Sequence, residues 1–183
     1  MTAMDARPAV EPVLLRRVMG HVPTAVTVIT AMADNEPAGM TVGTFTSISL
    51  DPPLAGFFAT GTSQTLSLIL QAGRFTANVL ADSQSAISRA FAGSRGSRFD
   101  GVTWRRSESG TPHLTSVLAW IDCTVQSQVE IGDHTAVVGA VDSLTVAPDG
   151  GRPLVFFRGA HCHLDKRSLP RRGDWQLDHY ADW

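Results

Sequence analysis

His134 follows Gly132-Asp133 directly, and these two residues separate two strand-like runs. A two-residue loop with glycine first suits a tight hairpin that pairs Ile131 with His134. The imidazole then stands at a strand end, on an inward face shared with Val129, Ala136 and Val138. At the mouth of an apolar barrel it could meet a ligand; an isolated histidine at a turn can equally be structural or solvated. A second stretch, GMTVGTFTSISLDPP from Gly39 to Pro53, strings together the hydroxyls of Thr41, Thr44, Thr46, Ser47 and Ser49. Hydroxyls and free backbone N–H groups can serve a polar, planar, phosphorylated ligand without burying formal charge. Gly43 falls inside this strand-like run, where glycine marks a bulge or a close backbone approach. An ordinary Thr/Ser-rich strand and turn has the same composition. A third stretch, Gly61-Thr62-Ser63-Gln64-Thr65, lies between an apolar strand and a short helical run. Thr62 or Ser63 would cap that helix, and its free N–H groups could also hold a phosphate.

Other reactive types carry less. His161-Cys162-His163 puts two imidazoles on one side of a strand, but two ligands do not make a metal site. Cys123 lies on the apolar side of an alternating run and reads as a small core residue. GSRGSRFDG at 93–101 lacks the Gly-Lys-Ser/Thr ending of a phosphate-binding loop, so Arg95, Arg98, Arg105 and Arg106 read as solvated. A Ser-His-Asp order, a GxGxxG fingerprint and a Walker motif are all missing, which disfavours a hydrolase, a Rossmann dehydrogenase and an NTPase.

These residues need a rigid frame, and 183 residues at 43% hydrophobic and 17% charged content supply one domain with a real core. A net charge of −2 argues against a nucleic-acid footprint, and no apolar run reaches membrane-spanning length. MTAMDARPAVEP lacks the basic-then-apolar order of a secretory signal, and two cysteines make no disulfide framework, so a cytoplasmic protein with reduced thiols is expected. Pro12 opens a short amphipathic helix through Leu14, Leu15, Val18, Met19 and Val22. Strands are expected at 24–32, 54–60, 74–80, 117–131, 134–146 and 153–159, with a turn at Asp34-Asn35 and Pro37. Helices are expected from Ser63 to Gly73, and from an Asp82 cap to Phe91. Many strands with few helices indicate a mainly β, antiparallel barrel. Residues 1–10 and 166–183 read as tails around a domain at 11–165.

GMTVGTFTSISLDPP resembles the signature of the flavin reductase family, the small partners of two-component flavin monooxygenases. FTANVLADSQSAISRAFAG, RFDGVTW, GTPHL, LAWIDCTV, GDHTAVVGAV and PLVFFRG follow in the family's order, over about residues 11–160. The resemblance implies the FMN-binding split barrel, an antiparallel Greek-key barrel with a few short α-helices, found as a homodimer. It implies NAD(P)H:flavin oxidoreductase activity, with NADH before NADPH reducing FAD or FMN for a separate monooxygenase or halogenase. By the same resemblance Thr41, Val42, Gly43, Thr44 and Ser47 surround the flavin ring and ribityl chain. Ala59, Thr60, Ser63, Gln64 and Thr65 hold the ribityl–phosphate end. Ser88, Arg89, Phe91 and Arg95 border the phosphate or adenine. His134, Arg158 and Gly159 face the nicotinamide, with His134 as the catalytic candidate and no metal. Past Gly159 the family's usual Arg-Tyr pair is replaced by Ala160-His161. A non-enzymatic flavin carrier or sensor, or a split-barrel oxidase for a pyridoxal-type phosphate, would use the same pocket.

Overall fold

The computed structural model describes residues 10–93, 98–148, 151–165 and 167. Seven strands form one antiparallel sheet: β2 (Thr27–Ala33), β3 (Glu36–Val42), β4 (Thr46–Leu50), β5 (Pro53–Thr60), β6 (Arg74–Val79), β9 (Ala119–Ile131) and β10 (His134–Val146). Their order is β3-β2-β6-β9-β10-β5-β4, and β3 also touches β5, so the sheet curls on itself as a barrel. A smaller sheet joins β1 (Thr24–Ala25), β11 (Leu154–Phe157) and β12 (Ala160–His163), and a short hairpin joins β7 (Trp104–Arg106) to β8 (Pro112–Leu114). The expected strand at 24–32 is therefore two strands, broken at Val26, that serve different sheets.

Local chemistry sets the turns and helix ends. Asp34 and Asn35 both take left-handed φ, which these two residue types tolerate, and close the β2–β3 hairpin. Pro37 falls inside β3 rather than in the turn, as an edge strand allows. Gly39, not Gly43, is the glycine inside the strand: a Cβ there would come within 2.7 Å of the Phe91 ring. Gly43 lies just beyond β3. Helix α1 (Pro12–Met19) starts on its proline, and α2 (Gln64–Ala72) starts on Ser63, whose Oγ accepts from the Leu66 N–H at 3.3 Å. Gly73 in left-handed conformation ends α2. Asp82 does not cap the next helix. It lies in a 3-10 turn (Asp82–Gln84) ahead of α3 (Ser85–Ala92), and its carboxylate pairs with Arg152 Nε at 2.6 Å.

Two apolar clusters hold these layers together. Inside the curled sheet, Leu66 and Ile69 of α2 meet Ile29, Phe57, Phe75 and Val137. Each of these two side chains contributes about 1.5–3 kcal/mol by burial. Beyond β2, Phe91 of α3 packs with Val28, Leu80, Leu114 and Leu154. Cys123 lies in the first cluster, as its strand position predicts, and burial pushes its thiol up to about 12.

Asp122, beside it, is also buried, at 5% exposure. Its carboxylate accepts from Thr76 Oγ1, from His113 Nε2 at 2.8 Å and from Ser143 Oγ at 2.8 Å. Burial pushes this acid up, but hydrogen bonds from Thr76, His113 and Ser143, with the His113 charge, outweigh burial and hold it below the ordinary aspartate value. A depressed folded pKa means stability that is complete above the unfolded value of about 3.9 and is lost as pH falls below it through the lower folded value. Asp122→Ala should cost about 3–5 kcal/mol in urea unfolding at neutral pH. It should also flatten the loss of stability that the parent protein shows as pH falls below about 4; an unchanged acid limb would contradict this role.

Candidate functional site

The end of β3, helix α3 and strand β12 enclose a mostly apolar cavity of about 290 Å³. Thr41, Val42, Gly43, Ser88, Arg89 and His161 line it. One chain of hydrogen bonds fixes three of these residues. Thr41 Oγ1 donates to the Ser88 carbonyl at 2.8 Å, and Ser88 Oγ lies 3.0 Å from His161 Nε2. Phe156 of β11 meets the His161 ring edge-on at 5.7 Å. Burial, then the charges of Arg89 and His163, hold His161 below the ordinary imidazole value, so it is neutral at pH 7. His161 is not among the site residues expected from the sequence; its signals are the His161-Cys162-His163 pattern and its place where the family's Arg-Tyr pair would be.

A second cleft, of about 310 Å³, has Thr60, Gly61, Thr62, Asp133 and His134 in its walls. The hairpin is as the sequence predicts: Gly132 takes φ 63° and His134 pairs with Ile131. The face is not. Thr135, Val137 and Gly139 are the buried residues of β10, so His134 shares the opposite, half-covered face with Ala136 and Val138, its side chain 44% exposed. Both parities of His134–Val141 are apolar, so alternation does not select the inward set. His134 Nδ1 lies 2.6 Å from Asp133 Oδ1. The carboxylate can only accept, so Nδ1 carries the hydrogen and Nε2 is left for a ligand. That hydrogen bond, then the imidazole charge, holds Asp133 below its ordinary value.

The remaining expected residues are spread out. Thr44 Oγ1 bonds both the N–H and the C=O of Phe58 at 3.0 Å, and Ser47 lies exposed on β4, so neither lines the first cavity. Ala59 and Phe91 are core residues at 3% and 1% exposure and offer little surface to a ligand. Arg158 and Gly159 form the turn between β11 and β12 and face a separate cavity beside α1. Arg95 lies outside the described residues. Ser63, Gln64 and Thr65 do open α2, and there Arg98 departs from its expected solvated state: its Nη1 donates to the Gly39 carbonyl at 2.6 Å and to Thr65 Oγ1 at 2.7 Å. The helix start therefore combines free N–H groups, two hydroxyls and one guanidinium, a donor set that fits a phosphate. The mostly apolar cavity, walled by backbone, hydroxyls, a neutral imidazole and the Arg89 side chain, fits a flat ring.

Residues 19–165 match the model of the flavin reductase like domain. A flavin reductase of Pseudomonas putida is 41% identical over 162 residues, spanning 88% of this chain and 95% of that protein. The crystal structure of nitrilotriacetate monooxygenase component B from Mycobacterium thermoresistibile superposes with a TM-score of 0.83 at 37% identity, covering 86% of this chain and 88% of that one. The NADH:FAD oxidoreductase SgcE6 of Streptomyces globisporus, solved with NAD and FAD fragments, superposes with a TM-score of 0.81 at 33% identity, over 89% of this chain and 100% of that one. With the barrel, the ring-sized cavity and the capped helix start already in place, these likenesses show that the chain belongs to the flavin reductase-like family.

Proposed function

We propose that this protein is an NADH-dependent flavin reductase that releases reduced FAD or FMN to a separate flavin-dependent monooxygenase or halogenase. The observation that carries this reading is the cavity of Thr41, Val42, Gly43 and Ser88, closed by the neutral His161. The flavin ring would stack there, and its phosphate would lie at the start of α2 against the Gln64 and Thr65 N–H groups and Arg98. When bound, the flavin and nicotinamide rings supply the chemistry, a direct hydride transfer. The chain's residues orient them and exclude water. His134 would hold the nicotinamide through Nε2, the ring nitrogen not bonded to Asp133.

A homodimer completes the reading. Val13, Leu14, Leu15, Val18, Met19 and Val22, in and just after α1, are each more than half exposed. Phe58, Val129 and Ile131 add exposed apolar surface beside His134. Surface of this kind supports self-association; a monomer mass in sedimentation equilibrium would contradict it. None of the described helices is long and apolar enough to cross a membrane, which is compatible with a cytoplasmic site of action.

The purified protein should oxidise NADH only when free FAD, FMN or riboflavin is supplied. Consumption at the rate without enzyme, with all three flavins, would end the reductase reading. His134→Ala should lower kcat/KM for NADH by about 1–2 kcal/mol, the value of one lost polar contact, while flavin affinity changes less. Equal kcat/KM values in the parent and variant would return His134 to a structural role.

A further inference from the structure

Arg89 brings a full positive charge to the wall of a cavity that is otherwise apolar or neutral. It stands in the last turn of α3, next to Ser88, and lines both the ring cavity and a neighbouring cleft of about 500 Å³. No carboxylate lines either space. Among the described residues Arg89 forms no ion pair, and its Nη2 reaches only a neutral hydroxyl, Ser85 Oγ, at 3.4 Å.

The elements packed around the cavity do not cancel this charge. Strand β3 brings Thr41, Val42 and Gly43, and β11 brings Phe156. His161 of β12 is engaged with Ser88 Oγ at 3.0 Å and is neutral at pH 7. His163 lines only the neighbouring cleft and lies 3.7 Å from Asp82, whose carboxylate Arg152 also holds at 2.6 Å. Arg89 and His163 both add to the effect of burial in holding His161 low, so a positive field reaches the cavity. A cation in the last turn of a helix also suits the helix dipole. That role alone is indifferent to what occupies the cavity.

Hydride transfer changes the charge of the occupant. NADH gives up a hydride, two electrons with one proton, and becomes NAD+. The flavin ring accepts it and passes from neutral to a singly charged anion, which keeps its charge above neutral pH. Charge fixed beside the ring therefore tells the two forms apart. Arg89 is exposed, so water-like screening sets the scale, and a unit pair at contact distance then corresponds to about a fivefold preference.

We propose that Arg89 makes the ring cavity selective for redox state, so that it binds the anionic reduced flavin more tightly than the neutral oxidised one. This departs from the place at the phosphate or adenine that the family resemblance implies for Arg89. The selectivity takes the ring cavity as the flavin site, and so rests on the reductase reading. It draws the hydride forward and slows the release of the reduced product.

Anaerobic titration of the full-length protein with riboflavin at mildly alkaline pH tests the selectivity, once with the oxidised form and once with riboflavin reduced beforehand by dithionite. Riboflavin has neither phosphate nor adenine, and neither titration uses NADH. The parent should bind the reduced form about fivefold or more tighter, which places the bound couple about 20 mV above the free one. Arg89→Gln should bring the ratio close to one by weakening the reduced form, and its unchanged affinity for the oxidised form shows that it is folded. Arg89→Lys, which keeps the charge, should keep most of the ratio. Ala92→Glu, which sets a carboxylate in the same wall one helical turn from Arg89, should lower it. A ratio near one in the parent, or an undiminished ratio in both Arg89→Gln and Ala92→Glu, overturns the selectivity and leaves the reductase reading standing. So does a loss in Arg89→Gln that is confined to FMN and FAD and equal in both redox states, which would put Arg89 at the phosphate or adenine. Absence of riboflavin binding in either state overturns the flavin site, and the reductase reading with it. Arg89-dependent preference for reduced riboflavin in a protein that oxidises no NADH would uphold the selectivity and overturn the reductase reading instead.

Discussion

A carboxylate buried between strands must collect its hydrogen bonds from whatever packs against it, and Asp122 collects them from three elements. Thr76 comes from β6, His113 from the β7–β8 hairpin and Ser143 from β10. Each donor faces desolvation without the acid, and the acid faces it without them. This mutual need helps to fix how the sheet curls and where the small hairpin docks. Thr30 extends the network by donating to the Pro112 carbonyl at 2.6 Å, and Asn78 extends it by accepting from the Leu114 N–H at 2.8 Å. The long β9–β10 hairpin that presents His134 at its tip begins inside this network.

The ring cavity is positioned by the other end of the same sheet. Strand β3 is an edge strand, and α3 covers it because Phe91 fits against Gly39. With that contact made, Thr41 reaches the Ser88 carbonyl and Ser88 reaches His161. Strand β12, brought in by β11, closes the far wall. The cavity is therefore a junction of three elements that meet only when both sheets are complete. Thr41, Ser88 and His161 are spent on each other, which leaves a largely apolar surface with Arg89 as a charged group in its wall.

Local features were legible in the sequence. The Ser63 cap, the Gly73 stop, the Pro12 start and the Gly132-Asp133 hairpin each depend on a few neighbouring residues, and each is where its pattern places it. The mainly antiparallel barrel was legible from strand spacing and from the ordered family blocks. What failed depends on distant partners. Nothing near His134 states which parity of β10 faces inward, because Ala136, Val137 and Val138 are alike. Asp82 has the residue type of a cap, but an arginine 70 positions later claims its carboxylate. Arg98 looks like one more loop arginine until β3 and α2 come together beneath it. Asp122 alternates with apolar neighbours as a surface residue would, and its burial depends on partners from β6, β10 and the hairpin at 104–114.

The central claim is that a flavin lies with its ring against Thr41–Gly43 and its phosphate at the start of α2. A crystal structure of the protein with FAD bound tests it most directly. The account predicts van der Waals contact between the ring and Val42 and Gly43. It also predicts a phosphate oxygen within about 2.7–3.2 Å of the Gln64 or Thr65 N–H. A phosphate more than one water layer from that helix start, or a ring outside the cavity closed by Ser88 and His161, would contradict it.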